Sequence, residues 1–504
     1  MPQQRTELLG AAATEGGDSV HARRWWILAV LGIAQLMVVL DITVVNIALP
    51  SAQRALHFSN NSREWVVTAY ALAFGGLLLA GGRLGDLFGR KRLFIASTIG
   101  FAAASAVGGA AQSFGMLVAA RGLQGVFAAL MAPAALSLVS TTFSDPRERG
   151  TAFGIWGAIG GAGAAVGLLL GGVLTQDLSW RWTLFVNLAF AIVAAAGAVA
   201  LLRRDTSSAR EPIDVPGTLT ATGGLFALVY GFAYAQNHSW GSSTTVAFLI
   251  AGAVLLAAFV AIQARAAHPL LPLRVVLDRN RGGSYLALGI AGLGLFGVFL
   301  FSTYYLQEIK GYSPSRTGLA FLPLSAAVVL SAGIANAVIV PRTGPRPVVA
   351  SGMALTAIAM GLLAQLGVHS TYTADLLPAL VMTGVGVGLV YAPATDFAVR
   401  GVKPADAGVA SGLVNAMNQV GGSLGLALLS TLAATATTHY LAGKHPNPSL
   451  LAHAAVHGYT TGFWWAAAFF AAGALITGLL LHGRAPQPAP HTQADAQLQP
   501  AAAN

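Results

Sequence analysis

The chain has 504 residues, 55% hydrophobic and only 9% charged, with a formal net charge of +10 and a mean hydropathy of +0.67. Ordinary soluble domains carry about 25% charged residues, so this composition excludes a soluble globular protein and requires most of the surface to face lipid. Cysteine is absent, which excludes a disulfide framework and thiolate chemistry.

Residues 1–24 are polar and contain acids, unlike a cleavable signal, and read as a cytoplasmic tail. Fourteen apolar stretches follow, each near or above the roughly 17–20 residues that a membrane helix needs. They run approximately 25–49, 65–82, 93–112, 114–141, 150–175, 182–202, 215–235, 244–263, 284–306, 317–340, 347–366, 376–399, 407–433 and 460–481. With the N-terminus in the cytoplasm, Arg54, Arg63, Arg181, Lys310, Arg316 and Lys444 fall outside. Arg121 falls within a span, and every other Lys and Arg falls on the cytoplasmic side. That asymmetry is the positive-inside pattern. It places both termini in the cytoplasm and accounts for the basic balance without a nucleic-acid partner.

The first span, "QLMVVLDITVVNIALP", holds Asp41 in an otherwise apolar run. An aspartate at the centre of a membrane helix costs roughly 2.5–3.5 kcal/mol, so it needs a compensating role. Between spans 2 and 3 lies "GGRLGDLFGRKR". Here Gly82, Gly85 and Gly89 are expected to permit a tight turn and close helix approach. Asp86 is expected to cap the next helix and to pair with an arginine across a neighbouring bundle, beside Arg90 and Lys91.

Span 4 carries "RGLQG", with Arg121, Gln124 and Gly125. An arginine at depth must face the bundle interior and find a partner. Arg121 lies about 12 Å from the outer end of its span and Asp41 about 13–14 Å, at 1.5 Å per residue. The two are nearly level, so an acid and a cation can share one polar layer. In span 5, Gly163, Gly167 and Gly171 recur every four residues, a seam against which a second helix packs backbone to backbone.

Two polar breaks organise the rest: 203–214 after span 6, and 264–283 after span 8. The plan is a cytoplasmic tail (1–24), six spans (25–202), a linker (203–214), two spans (215–263), a second linker (264–283), six spans (284–481) and a Pro/Gln/Ala-rich tail (482–504) expected to be disordered. The outer blocks show a weak internal repeat. Gly150 and Gly154 in span 5 correspond to Gly408 and Gly412 in span 13, and "LGDLFGRKR" after span 2 has a degraded counterpart in "PRTGPRPVV" after span 10. Related six-helix halves with a cavity between them are a transporter plan.

Other polar residues read more blandly. Asp396 and Arg400 form an interfacial i,i+4 pair, Glu308 sits at the outer interface beside Lys310, and His439, His445, His453 and His457 share an outer loop with no convincing metal chemistry. The strings "GLGLFG" (292–297) and "GGSLG" (421–425) mimic nucleotide-binding and hydrolase motifs but lie in long apolar helices. No phosphate-binding G-x-x-x-x-G-K-[ST] loop occurs, so drive must come from an ion gradient.

The 81–92 loop and the R-x-x-Q-G pattern resemble the major facilitator superfamily, with Leu87 where that family usually has a basic residue. The run from Gly163 to Gly172 resembles the antiporter motif G-x-x-x-G-P-x-x-G-G, with Leu168 in place of its proline. "LDITVVNIALP", "SWRWTLFVN" (179–187), "YYLQEIKGYSPSRTGLAFLP" (304–323) and "ADAGVASGLVNAMNQVGG" (405–422) resemble the fourteen-helix drug:proton antiporters, the EmrB/QacA-like group. The resemblance covers about residues 25–480.

It implies an all-α integral membrane protein of two six-helix bundles plus two extra central helices. The implied activity is proton-driven export of small amphipathic toxic compounds or antibiotics, with no enzymatic step and no cofactor beyond the proton gradient. Asp41, Arg121 and Gln124 would couple protons to substrate. Gly82, Gly85, Asp86, Gly89, Arg90 and Lys91 would form the cytoplasmic gate, and Gly163, Gly167, Gly171 and Gly172 the antiporter packing seam. The expected partners are the substrate, protons and the bilayer of the cell membrane, with the chain monomeric. The competing readings are an exporter of one endogenous metabolite, a proton-coupled importer, and a membrane-embedded sensor without net transport.

Overall fold

The computed structural model describes residues 2–59, 62–63, 65–143, 145–202, 214–402, 406–445 and 447–481. The side chains of 2–22 and of several helical positions, including Arg83, Asp86, Gly150, Gly154 and Gly408, lie outside the described residues. The expected pairing of Asp86 and the proposed repeat of Gly150 and Gly154 fall there, as do most of the 203–214 linker and the final tail.

In hydrocarbon every backbone N–H and C=O must be satisfied within the segment, so apolar spans become helices. No strand occurs among the described residues. The first six long helices are α1 (Pro2–Leu56), α2 (Trp65–Phe88), α3 (Arg90–Gly109), α4 (Phe114–Thr142), α5 (Pro146–Val173) and α6 (Trp182–Leu201). Next come α7 (Val215–Asn237) and α8 (Ser243–Arg265). The last six are α9 (Arg279–Tyr304), α10 (Pro314–Thr343), α11 (Pro345–Leu363), α12 (Leu377–Val399), α13 (Ala407–Leu441) and α14 (Pro448–Leu480).

Twelve of the described helices are long and apolar enough to cross a membrane. α2 and α5 fall on the other two predicted spans, with shorter apolar stretches at Trp65–Leu78 and Val166–Leu178. Capping residues set several starts. Ser113, Asp214, Asp278 and Asn447 accept backbone N–H bonds from Met116, Gly217, Arg281 and Leu450. The cap at Asp278 is why α9 begins at Arg279 instead of the expected 284. α1 also runs through Pro50, where the apolar pattern suggested an end, because a membrane helix tolerates proline when its neighbours re-satisfy the freed carbonyl.

The helices form two six-helix bundles with the same internal pairings. In the first, α1 packs on α4, α5 and α6, α2 on α4, and α3 on α4 and α6. Eight helices later, α9 packs on α12, α13 and α14, α10 on α12, and α11 on α12 and α14. The repeat extends to single residues. α2 and α3 are separated only by Gly89 (φ 88°), and α10 and α11 only by Gly344 (φ 78°), in a region of backbone space open to glycine. These are the two loops whose sequences the repeat had paired.

The enzyme-like glycine strings are the two faces of one helix crossing. A Cβ at Gly421 would meet the Gly289 carbonyl, and one at Gly292 would meet the Asn418 carbonyl, so α9 and α13 touch backbone to backbone. The bundles meet along two seams, α2 with α13 and α5 with α10. α7 lies against both helices of the first seam, and α8 packs on the outside of α7. Thr222 donates to the Gly76 carbonyl of α2 at 2.9 Å, and Thr431 of α13 donates to the Phe232 carbonyl of α7 at 2.8 Å. Leu475 and Leu479 on α14, Ile192 on α6 and Leu219 on α7 are each more than two-thirds exposed, as lipid-facing positions must be.

Candidate functional site

Asp41 and Arg121 meet inside the first bundle. Arg121 Nη1 lies 2.5 Å from Asp41 Oδ2, with the carboxylate 0% and the guanidinium 1% exposed. The other carboxylate oxygen, Oδ1, accepts from Gln124 Nε2 at 2.9 Å and from Asn187 Nδ2 at 2.8 Å. Ser105 on α3 accepts from the same two amides, at 2.7 and 3.4 Å. Arg121 also donates from Nε to the Val66 carbonyl at 3.0 Å and from Nη1 to Gln124 Oε1 at 3.0 Å, and its Cζ lies 4.4 Å above the Tyr70 ring. Five helices, α1, α2, α3, α4 and α6, thus converge on one acid.

A buried charge is tolerated when it is paired and its remaining hydrogen-bonding capacity is filled. Both conditions hold here. The carboxylate does not reach solvent, so in this conformation a molecule between the bundles does not touch it.

Sequence reading brought together Asp41, Arg121 and Gln124; it missed Asn187, Ser105 and Tyr70. Asn187 closes the stretch "SWRWTLFVN", and an amide deep in an apolar span was the available signal. Its Oδ1 and the Tyr70 hydroxyl are buried without a hydrogen-bond partner among the described residues.

The glycine seam of α5 holds α1, and with it Asp41. A Cβ at Gly163 would come 2.9 Å from Leu36, one at Gly171 would come 2.9 Å from the Val44 Cα, and one at Gly167 would collide with the Thr43 hydroxyl. Gly172 faces the other way. Its Cβ would lie 2.6 Å from the Ser315 Cα of α10, in the second bundle, and a Cβ at Gly318 would meet the Leu168 carbonyl. Leu168, at the motif's proline position, is fully buried at this crossing.

Where α2 meets α3 the expectation for the 81–92 loop needs correction. The turn is Gly89 alone, while Gly82 and Gly85 lie within α2, where added Cβ atoms would meet neighbours at ordinary distances of 3.8 and 3.7 Å. The close approach falls on Gly81, whose Cβ would run into the Ala129 carbonyl of α4. Gly89, not Asp86, stands at the N-cap of α3, with no side-chain cap. Arg90 begins α3. Lys91 Nζ donates to the carbonyls of Val199, at 3.0 Å, and Leu202, and Arg23 Nη2 donates to that of Leu201 at 2.9 Å. Two cations therefore cap the C-terminal end of α6, where its dipole favours them.

The end that the loop charges assign to the outside joins the bundles. Gln307 Nε2 donates to the Ile47 carbonyl at 3.1 Å, Tyr304 donates to Gln53 Oε1 at 3.2 Å, and Ser315 donates to Gln176 Oε1. Arg63 stacks on Tyr304 at 3.4 Å and lies 3.8 Å from Glu308 Oε2. Glu308 is therefore not simply an interfacial residue beside Lys310. It faces the opposite bundle, while Lys310 donates to the Val368 carbonyl at 3.0 Å. Asp396 and Arg400 do form the expected i,i+4 pair, on the half-exposed inner end of α12. Among the described residues no three His, Asp or Glu side chains converge as a metal site would require.

The family model described as Major Facilitator Superfamily matches residues 31–426. The puromycin resistance protein of Streptomyces alboniger is 48% identical over 477 residues, covering 94% of each chain. The cephamycin export protein of Amycolatopsis lactamdurans is 38% identical, covering 86% of this chain and 90% of its own. The lincomycin resistance protein of Streptomyces lincolnensis is 35% identical, covering 83% and 86%. Among solved structures, an auto-inhibited peptide transporter of the POT family superposes with a TM-score of 0.65 at 18% identity, over 91% of this chain and 96% of that one. That last likeness is one of fold.

Proposed function

From the premise that the chain belongs to the Major Facilitator Superfamily, we propose that it exports a small amphipathic antibiotic-like compound in exchange for protons. Relatives named for puromycin resistance, cephamycin export and lincomycin resistance support the cargo class and the outward direction. The chain lies in the cell membrane with both termini in the cytoplasm, a reading supported by the charge asymmetry of its loops, and we take it to act as a monomer.

The observation that carries the exchange is the Asp41 cluster. A carboxylate sealed in the interior of one bundle changes charge only by taking or giving a proton. Arg121 survives that change, because Val66, Gln124 and Tyr70 still engage it when Asp41 is neutral. A protonated Asp41 needs an acceptor, and rotation of the Asn187 amide presents its unused Oδ1. The pair can therefore be broken without orphaning the guanidinium.

Movement follows through α1. Ile47 lies six residues beyond Asp41, about 9 Å along the helix, and its carbonyl accepts from Gln307 of the opposite bundle. Weakening the grip on Asp41 loosens α1 against α4 and so alters the contact that closes the outer end. Protons and cargo need not share a site; each biases the same rocking equilibrium, which is sufficient for coupling.

The test is transport in vesicles of known orientation with an imposed pH gradient, using puromycin, lincomycin and a cephamycin as cargo. Accumulation that requires the gradient and collapses with a protonophore is expected. Uptake in the cytoplasmic direction, or gradient-independent equilibration, removes the proposal.

A further inference from the structure

The outer closure contains an occupied cation receptor. Arg63, from the α1–α2 connection, inserts into the second bundle, where its Cζ sits 3.4 Å over the Tyr304 ring and 6.0 Å from the Tyr459 ring. Glu308 Oε2 lies 3.8 Å from Arg63 Nη1 and accepts from the Tyr459 hydroxyl at 3.4 Å. The Tyr304 hydroxyl is held by Gln53, so that its ring face is presented to the guanidinium. Two aromatic faces and a carboxylate around a delocalised cation are the chemistry that recognises organic cations in general.

The cation is held loosely in one respect. Arg63 Nη1 is buried yet has no hydrogen-bond partner among the described residues. That nitrogen is held by charge and ring faces alone, while Tyr459 also engages the guanidinium. All three walls of the box belong to one bundle and the guanidinium to the other. When the outer ends separate, the guanidinium leaves and the box of Tyr304, Tyr459 and Glu308 opens onto the gap.

The geometry points to this box as an exit subsite for organic cations, with Arg63 as a tethered competitor that expels the cargo when the outer end closes. The inference rests on the export reading for its direction. The ligand class is a guanidinium or alkylammonium group on an amphipathic body. Neutral cargo passes the same gap without using the box.

Two experiments test it. Purified Arg63→Ala protein in detergent is heated with propylguanidinium, which carries the guanidinium head it lost, or with neutral propylurea. Propylguanidinium should raise the unfolding temperature of Arg63→Ala, leave wild type unmoved, and lose its effect in Arg63→Ala/Glu308→Gln. Equal effects of the two compounds, or stabilisation that survives Glu308→Gln, overturn the box. Arg63→Gln, which keeps a polar tip on a shorter arm without charge, serves if the alanine variant does not fold.

In vesicles, Glu308→Gln should raise KM for an organic-cation dye about tenfold, the scale of a desolvated cation–π or ion contact, and spare a neutral cargo. A loss shared equally by both cargoes makes the cluster a latch and overturns the subsite. The detergent measurement uses no gradient, so a failure of proton exchange leaves it intact, and a failure of the box leaves proton exchange intact.

Discussion

Arg121 and Asp41, eighty residues apart in the chain, form a contact closed to solvent in the interior of one bundle. Near a protein surface such a pair is worth little, because water screens it. Sealed among five helices, it is the contact whose making and breaking we propose a proton controls.

Asp41→Asn keeps the shape of the side chain and removes the charge. Proton-driven accumulation should collapse to passive equilibration. Removing one partner of a buried pair costs roughly 3–5 kcal/mol, and the lower end is expected because Arg121 keeps three other partners. Asp41→Glu should retain partial activity. The check is transport at several pH values alongside thermal unfolding of both variants. An asparagine variant that still concentrates cargo with an unchanged pH profile rules Asp41 out as the coupling group.

Neighbouring glycines in α2 should behave oppositely. Gly81→Ala drives a methyl into the Ala129 carbonyl and should destabilise by about 1–3 kcal/mol, the cost of overpacking. Gly82→Ala meets only ordinary contact with Pro133 and should be neutral. Melting temperatures of the two purified variants decide it; an equal response would mean that α2 and α4 cross in a different register.

Gly167→Leu should reduce transport by displacing α1, since the side chain would occupy the place of the Thr43 hydroxyl. Because Asp41 lies on α1 two residues before Thr43, proton coupling should suffer more than cargo binding. Wild-type export by this variant would show that α5 does not hold α1 through that face.

The absence of native cysteine permits direct trapping. Gln176→Cys with Ser315→Cys, placed where those side chains touch across the outer end, should be bridged by a short bifunctional thiol reagent. Bridging should stop transport, and reductive cleavage of the linker should restore it. Continued turnover of the bridged protein would mean that the outer ends need not separate there.

The two-bundle plan was legible because lipid leaves the chain few options: long apolar runs become helices. Asp41 and Arg121 were legible for the same reason, each being too costly in hydrocarbon to lack a partner. Asn187, Ser105 and Tyr70 were not. Single amides, hydroxyls and tyrosines are inexpensive in membrane helices and common there, so the Asn187 amide was a weak signal and Ser105 and Tyr70 carried none. Arg63 and Glu308 looked like charges at helix ends because each does lie at one, and only the meeting of the bundles shows that they face each other. The distinction between Gly81 and Gly82 depends on which face of α2 meets α4, and adjacent glycines carry no such mark.

The attachment of α7 to both α2 and α13 breaks the equivalence of the two sides of the molecule. A fourteen-helix arrangement with exact halves would offer bilayer-dissolved compounds two matching doorways, one at each seam. The threonine bonds to Gly76 and Phe232 shutter one of them with a helix that must travel with both bundles or bend between them. Compounds already partitioned into the membrane should then reach the interior from the α5–α10 side, and a photoactivatable amphipathic probe should label that side in preference to α2 and α13. The additional hairpin thereby gives the protein a front and a back within the plane of the bilayer.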